Sequence, residues 1–407
     1  MFKLEKAKNG MFTLTYNNKY IHSKYNPQKE AEQFVNSHIR VVNNDDILLY
    51  GIGLGYHIEE LAKKMKNNSK LYVYEYNKEL INYCRKINGK IFSDSRIKII
   101  EGDDLEFYKK LSKSIELIRD ILIHKPSLET IQDSNEYLYN LINDYDRRLQ
   151  FYYAEPSKIE LYEKNFEENS RQDYISIDIF IEEMKKSQKP YIIASAGPSL
   201  DDETDLLKEH EDDFNIIAVS SALRTLTNKG IVPNAVVIID GKEIVKKHFE
   251  GIDVENIPLC FDESSSRWAV NDYIGSKYIF GNRIESNKIK IEVDSTVAVS
   301  AIDIAIKCNA KEIILLGQDL GYSGEKSHTG SYEEIYGYKD IEKSIYKMKK
   351  VESVTGENIE TSEGYLVFKR KIESLIDRNK NISFINCSNG VNIVGSIYKK
   401  FFSYINQ

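Results

Sequence analysis

The chain has 407 residues, more than one typical domain holds, and its 41% hydrophobic and 29% charged content is ordinary globular usage. A formal charge of −7 argues against a nucleic-acid partner, although a local basic patch such as Lys347, Lys349 and Lys350 fits a solvated helix face. No apolar run approaches the ~20 residues that span a bilayer, and the amino-terminal MFKLEKAKNG has no apolar signal core, so a cytoplasmic location is expected.

In chain order, Ile47–Tyr50 reads as a strand, Gly51-Ile-Gly-Leu-Gly55 as a turn, His57–Met65 as a helix and Leu71–Tyr74 as a second strand ending in Glu75. This is a Rossmann-like order, with an acidic residue about 20 residues past the glycines, where ribose hydroxyls would lie. A third strand, Ile97–Ile100, runs into Gly102-Asp103-Asp104. The pattern resembles the cofactor-binding start of S-adenosylmethionine methyltransferases. Glycines there also serve close strand–helix packing, so a binding loop and a purely architectural turn both stay open.

From Ser127 to Ser187 the strand signal gives way to helical periodicity, including Ile159–Phe166 and Ile175–Met184, and Lys189-Pro190 marks a boundary. The expected organisation is a Rossmann-like domain over 1–126, a helical linker over 127–188 and a second α/β body over 189–407. In that body, strands are predicted at Tyr191–Ala194, Ile216–Val219, Ala235–Ile239, Pro258–Phe261, Tyr278–Phe280, Ile313–Leu316 and Ser383–Ile385. Helices at Val297–Lys307 and Tyr365–Ile376 help separate them. The alternation predicts a mostly parallel, doubly wound sheet, and the fold class is α/β with two Rossmann-like bodies. The four cysteines (Cys84, Cys260, Cys308, Cys387) have no Cys-x-x-Cys spacing, which fits buried small hydrophobes better than a zinc site or a disulfide framework.

The segment Tyr191–Asp205, YIIASAGPSLDDETD, is a strand stopped by Gly197 and Pro198, with Ser199 or Asp201 placed to cap a helix starting at Asp202. The free N–H groups of such a helix end stabilise a phosphate. Ligands in open parallel sheets collect beyond the carboxyl ends of the strands. There the sequence sets Ser195–Ser199, then Ser220 and Ser221, then Asp240-Gly241, then Gly317-Gln318-Asp319. Asp294-Ser295-Thr296 opens a further helix, either as a plain N-cap or against a phosphate or base. The glycine-punctuated loop 317–330 carries His328, read as the one histidine near this set and as a candidate base.

Ser-Ala-Gly-Pro-Ser-Leu from Ser195, Asp240, Asp294-Ser-Thr-Val-Ala-Val-Ser-Ala-Ile-Asp, Gly317-Gln-Asp-Leu-Gly-Tyr and Ile385-Asn-Cys-Ser-Asn-Gly-Val-Asn-Ile-Val-Gly395 together resemble the motility accessory factor family. Those proteins are bacterial glycosyltransferases that attach nonulosonic acids, such as pseudaminic or legionaminic acid, to flagellin. The region is also similar, more remotely, to bacterial sialyltransferases that use CMP-activated sugars, and to archaeal 6-hydroxymethylpterin diphosphokinases. The resemblance implies a flagellin acceptor, a CMP-nonulosonic acid donor, no tightly bound cofactor, and a nucleotide facing Gly197, Pro198, Ser199, Ser220, Asp240, Ser295 and Thr296. It implies Tyr322 beside the leaving phosphate and His328 as base, while Asp240 and Asp319 are placed for ribose or for a divalent ion. Ser195 stands where that family usually has glycine, and the sialyltransferases' histidine has no secure counterpart. The alternatives are a pterin diphosphokinase, a noncatalytic flagellin-binding chaperone, and a methyltransferase acting through Gly51–Gly55.

Overall fold

The computed structural model describes residues 1–118, 120–154 and 156–406, and its contacts divide the chain into two compact units, Met1–Glu155 and Pro156–Gln407. The division falls inside the stretch expected to be a linker.

The first unit opens with an antiparallel sheet of β1 (Phe2–Lys6), β2 (Phe12–Tyr16) and β3 (Lys19–Tyr20), which the sequence reading lacks. A parallel sheet follows, made of β4 (Asp46–Tyr50), β5 (Lys70–Glu75), β6 (Ile97–Glu101) and β7 (Leu122–Ile123) in the order β6-β5-β4-β7. Successive side chains of a strand point to opposite faces, so Ile47 and Leu49 join one apolar cluster while Leu48 and Tyr50 join another. A continuous apolar run is therefore what this two-sided burial requires.

The glycine turn after β4 explains its own composition. Gly51, Gly53 and Gly55 have φ of 103°, 50° and 83°, a region that side-chain-bearing residues avoid. Its amide donors are taken by the unit itself. Ile52 N–H donates to the Glu75 carboxylate (3.0 Å), Gly53 N–H to Ser127 Oγ (3.0 Å) and Leu54 N–H to His22 Nε2 (2.8 Å). Glu75 is buried, also accepts Asn77 N–H at 2.8 Å, and burial pushes its carboxyl up to about 7. The acidic residue expected to meet ribose holds the turn instead, so of the two readings of this motif the architectural one describes the structure.

The second unit is built on a nine-stranded sheet in the order β18-β17-β14-β9-β10-β11-β12-β13-β8, parallel throughout. Its strands are β8 (Ile175–Ser176), β9 (Tyr191–Ala194), β10 (Asn215–Val219), β11 (Ala235–Ile238), β12 (Leu259–Asp262), β13 (Lys277–Phe280), β14 (Glu312–Leu316), β17 (Ser383–Asn386) and β18 (Ile397–Tyr398). A separate antiparallel hairpin, β15 (Met348–Glu352) with β16 (Asn358–Ser362), was not expected. The segment Ile175–Met184, expected to be all helix, gives its first two residues to the edge strand β8 and the rest to helix Ile177–Met184. Sheet and core thus begin before residue 189.

Ile192 and Ala194 of β9 pack with Leu200 and Leu207 on one face, while Tyr191 and Ile193 pack with Val299 and Ile302 on the other. Helices therefore cover both faces, as a doubly wound sheet needs. Helix Val297–Lys307 is buried from Ala298 through Ala305, which accounts for its nearly unbroken apolar sequence. A crossover helix returns antiparallel to its strands, so its N-terminus comes to the carboxyl edge of the sheet.

Candidate functional site

At the first carboxyl end, the helix after β9 begins at Ser199, earlier than expected, with Pro198 at its N-cap and no side-chain cap from Ser199 or Asp201. The capping anion comes from far along the chain. Asp319 Oδ2 accepts Ser199 N–H at 2.9 Å, and its Oδ1 accepts Asn389 N–H at 3.0 Å. Gly317, at φ 65°, turns the chain back, and Gly197 N–H donates to its carbonyl at 2.8 Å. A Cβ on Gly197 would overlap both that carbonyl and the Asp319 carboxylate. The helix end read as a phosphate cradle is thus filled by a buried carboxylate of the protein, whose pKa burial raises. Ser195, the departure from the family's glycine, donates its hydroxyl to Gln318 Oε1 at 2.8 Å.

One strand over, a polar group assembles. Ser220 opens helix Ser220–Thr227 directly after β10, and its Oγ lies 2.9 Å from His248 Nδ1. His248 Nε2 is 2.7 Å from the Tyr336 hydroxyl, and burial pushes this imidazole down to about 4, so it is neutral at pH 7. Asp240, just beyond β11, acts electrostatically on His248 and accepts Lys242 N–H at 3.0 Å. The sequence reading missed His248, which contradicts its view of His328 as the one histidine near the set. His248 ends a short 3-10 turn, Glu243–His248, that no strand pattern predicts. The available signal was a second histidine shortly after Asp240-Gly241.

His328 belongs to the same neighbourhood through Tyr332, whose ring lies 4.7 Å from that of Tyr336, the hydroxyl partner of His248. It is held at the rim: Nδ1 is 2.8 Å from Ser327 Oγ and 3.5 Å from the Asp340 carboxylate, the ring stacks on Tyr332, and a quarter of the side chain is exposed. The loop is pinned to the rest of the site by Thr329 N–H on the Ala196 carbonyl (2.9 Å) and Thr225 Oγ1 on Thr329 Oγ1 (2.9 Å).

Ser295 and Thr296 sit at the N-terminus of helix Val297–Lys307, where Thr296 is the N-cap. Ser295 is exposed and bonds Asp294, which Lys371 holds at 2.9 Å. Unlike the helix start at Ser199, this one has no foreign carboxylate on its first amides among the described residues. Tyr322 is buried, with its ring against that of Tyr365.

Helix Pro156–Ser170 completes the edge. Asn165 Nδ2 donates to the Gly241 carbonyl (2.8 Å) and Asn169 Nδ2 to the Ser265 carbonyl (2.9 Å), so the loops after β11 and β12 hang from this helix. Tyr162 packs against Gly241. Its hydroxyl is held above its usual pKa first by burial and then by Asp240. The periodicity showed the helix but not these two asparagines, because amide-to-carbonyl bonds leave no sequence pattern. For a divalent cation, Asp240 is the better placed of the two aspartates singled out, since both oxygens of Asp319 already accept backbone N–H groups.

Residues 3–87 match the family model described as the glycosyltransferase Maf N-terminal domain, and residues 160–325 match that of 6-hydroxymethylpterin diphosphokinase MptE-like proteins. An uncharacterised protein of Treponema pallidum (strain Nichols) is 24% identical over 372 residues, covering 80% of this chain. The chain spans 60% of the length of that relative. Among solved structures, a Maf glycosyltransferase from Magnetospirillum magneticum AMB-1 superimposes with a TM-score of 0.54 at 14% identity, over 99% of this chain and 71% of that one. The chain thus matches the Maf N-terminal domain model at one end and the MptE-like model after it, and shares its fold with a Maf glycosyltransferase.

Proposed function

We propose that the chain is a glycosyltransferase that moves a nonulosonic acid, pseudaminic or legionaminic, from its CMP donor to Ser or Thr hydroxyls of flagellin. The observation that carries this reading is the hydrogen-bonded group at the carboxyl edge of the second unit, Ser220–His248–Tyr336, with Asp240 acting on His248; the helix that starts after Ser295 and Thr296 belongs to the same sheet's crossovers. Departing CMP takes away negative charge, which the N–H groups and hydroxyl of that helix end stabilise. His328, steadied by Asp340, removes the acceptor proton, and a single displacement inverts the anomeric carbon. Asp240 serves ribose, or a divalent ion that a chelator would remove.

Incubation of the chain with flagellin and each CMP-sugar, followed by intact-mass measurement of flagellin, tests the reading. It expects added nonulosonic-acid mass with one donor. No added mass with either donor, where flagellin binds, overturns it. The MptE-like match favours one second reading, pyrophosphoryl transfer from ATP to 6-hydroxymethylpterin, which predicts AMP release and no change in flagellin mass.

A further inference from the structure

Three histidines of the first unit, remote from the site just described in sequence, lie together. His22 follows β3, His57 stands in the helix Tyr56–Lys64 after the glycine turn, and His124 follows β7. All three are buried, and one ring nitrogen from each lies within 4.8 Å of the others. They line a cavity of about 390 Å³ together with Glu30, Lys125 and Asp146. We propose that this pocket binds one divalent transition-metal ion of the zinc type, held by His22, His57 and His124, with a fourth position open to the cavity.

The hydrogen bonds favour an ion over mere ring packing. Histidines that bind metals commonly tie their other nitrogen to an oxygen, which fixes tautomer and orientation. Each ring does this here. His57 Nε2 is 2.9 Å from the Gly51 carbonyl, His124 Nδ1 is 2.7 Å from Ser127 Oγ, and His22 Nδ1 is 3.2 Å from the Glu30 carboxylate. With Nε2 donating to a carbonyl, His57 Nδ1 carries the lone pair, and among the described residues that buried nitrogen has no hydrogen-bond partner. Three imidazoles with one open position is a donor set that zinc adopts, and imidazole suits this class of ion better than calcium or magnesium.

The rings are stacked, His57 on His124 at 4.3 Å and His22 on His124 at 4.9 Å between centroids. Ligand nitrogens about a tetrahedral ion stand roughly 3.3 Å apart for bonds near 2.0 Å, so the rings must turn inward by about an ångström. His22 Nε2 must also release Leu54 N–H. An ion would then tie three distant segments to the glycine turn and stabilise this unit.

The test uses the full chain, freed of metal by chelation and titrated with Zn²⁺ alone by calorimetry and with Co²⁺ by visible absorption. The proposal expects one Zn²⁺ per chain, a raised melting temperature, and the intense ligand-field bands of a tetrahedral, nitrogen-rich Co²⁺ site. Both responses should vanish in His57→Gln and His124→Gln. Absence of saturable binding, weak octahedral-type Co²⁺ bands in the unaltered chain, or binding that survives both substitutions would overturn it. The Co²⁺ spectrum decides the matter even if a variant fails to fold.

Discussion

Replacing Asp319 separates a residue that holds the fold from one that holds a ligand. In Asp319→Asn, one of two oxygens becomes an NH₂ group facing a backbone donor, so either Ser199 N–H or Asn389 N–H loses its acceptor while staying buried. A hydrogen bond to a charged group contributes about 1.5–3 kcal/mol, and an orphaned buried donor costs about 1–3 kcal/mol. The negative charge at a helix N-terminus adds about 0.3–1 kcal/mol, and relief of carboxylate burial offsets part of the sum. A net loss of about 2 kcal/mol is expected for Asp319→Asn and about 3–4 kcal/mol for Asp319→Ala, which strips both donors. The single tryptophan, Trp268, lies in the second unit, so its fluorescence during urea unfolding reports on that unit alone. A change below about 0.5 kcal/mol, accompanied by loss of donor binding, would refute the reasoning and return Asp319 to the nucleotide.

Gly197→Ala should destabilise the same transition by several kcal/mol, about as much as other overpacked core changes, because the new methyl meets a carbonyl and a carboxylate with no flexible neighbour to yield. His328→Gln should lower kcat by about 10²- to 10⁴-fold with little change in unfolding midpoint; an unchanged rate removes it as base. Asp262, buried at the end of β12, has a carboxyl that burial pushes up to about 6. A raised folded pKa means stability present at low pH and lost as pH rises through about 6, so Asp262→Asn should stabilise by about 1–3 kcal/mol at pH 8 and by nearly nothing at pH 4. Equal effects at both values would contradict the assignment. S-adenosylmethionine titrated into the chain should give no heat, since the glycine turn's donors are taken by Glu75, Ser127 and His22; saturable binding would reopen that turn.

The strands of both parallel sheets were legible because two-sided burial writes itself as runs such as Ile47–Tyr50 and Tyr191–Ala194. Helix Val297–Lys307 was readable to the residue, its Thr296 cap followed by an apolar stretch. Short edge strands such as β7, β8 and β18, two residues each, carry too little pattern to see. At both glycine turns the occupant was the part that could not be read. Glycine spacing reports the backbone shape of a phosphate cradle but not what fills it, and here Asp319 and Glu75 come from other parts of the chain. His248 and Asn165 were illegible because their roles depend on partners 28 and 76 residues away.

Photo-crosslinking with a light-activated cytidine analogue of CMP asks most directly where the donor binds. The account predicts labelled peptides around Ser220, Asp240–His248 and Ser295–Thr296, with labelling suppressed by excess CMP. Labelling concentrated on Gly51–Gly55, or none that CMP competes away, would contradict it.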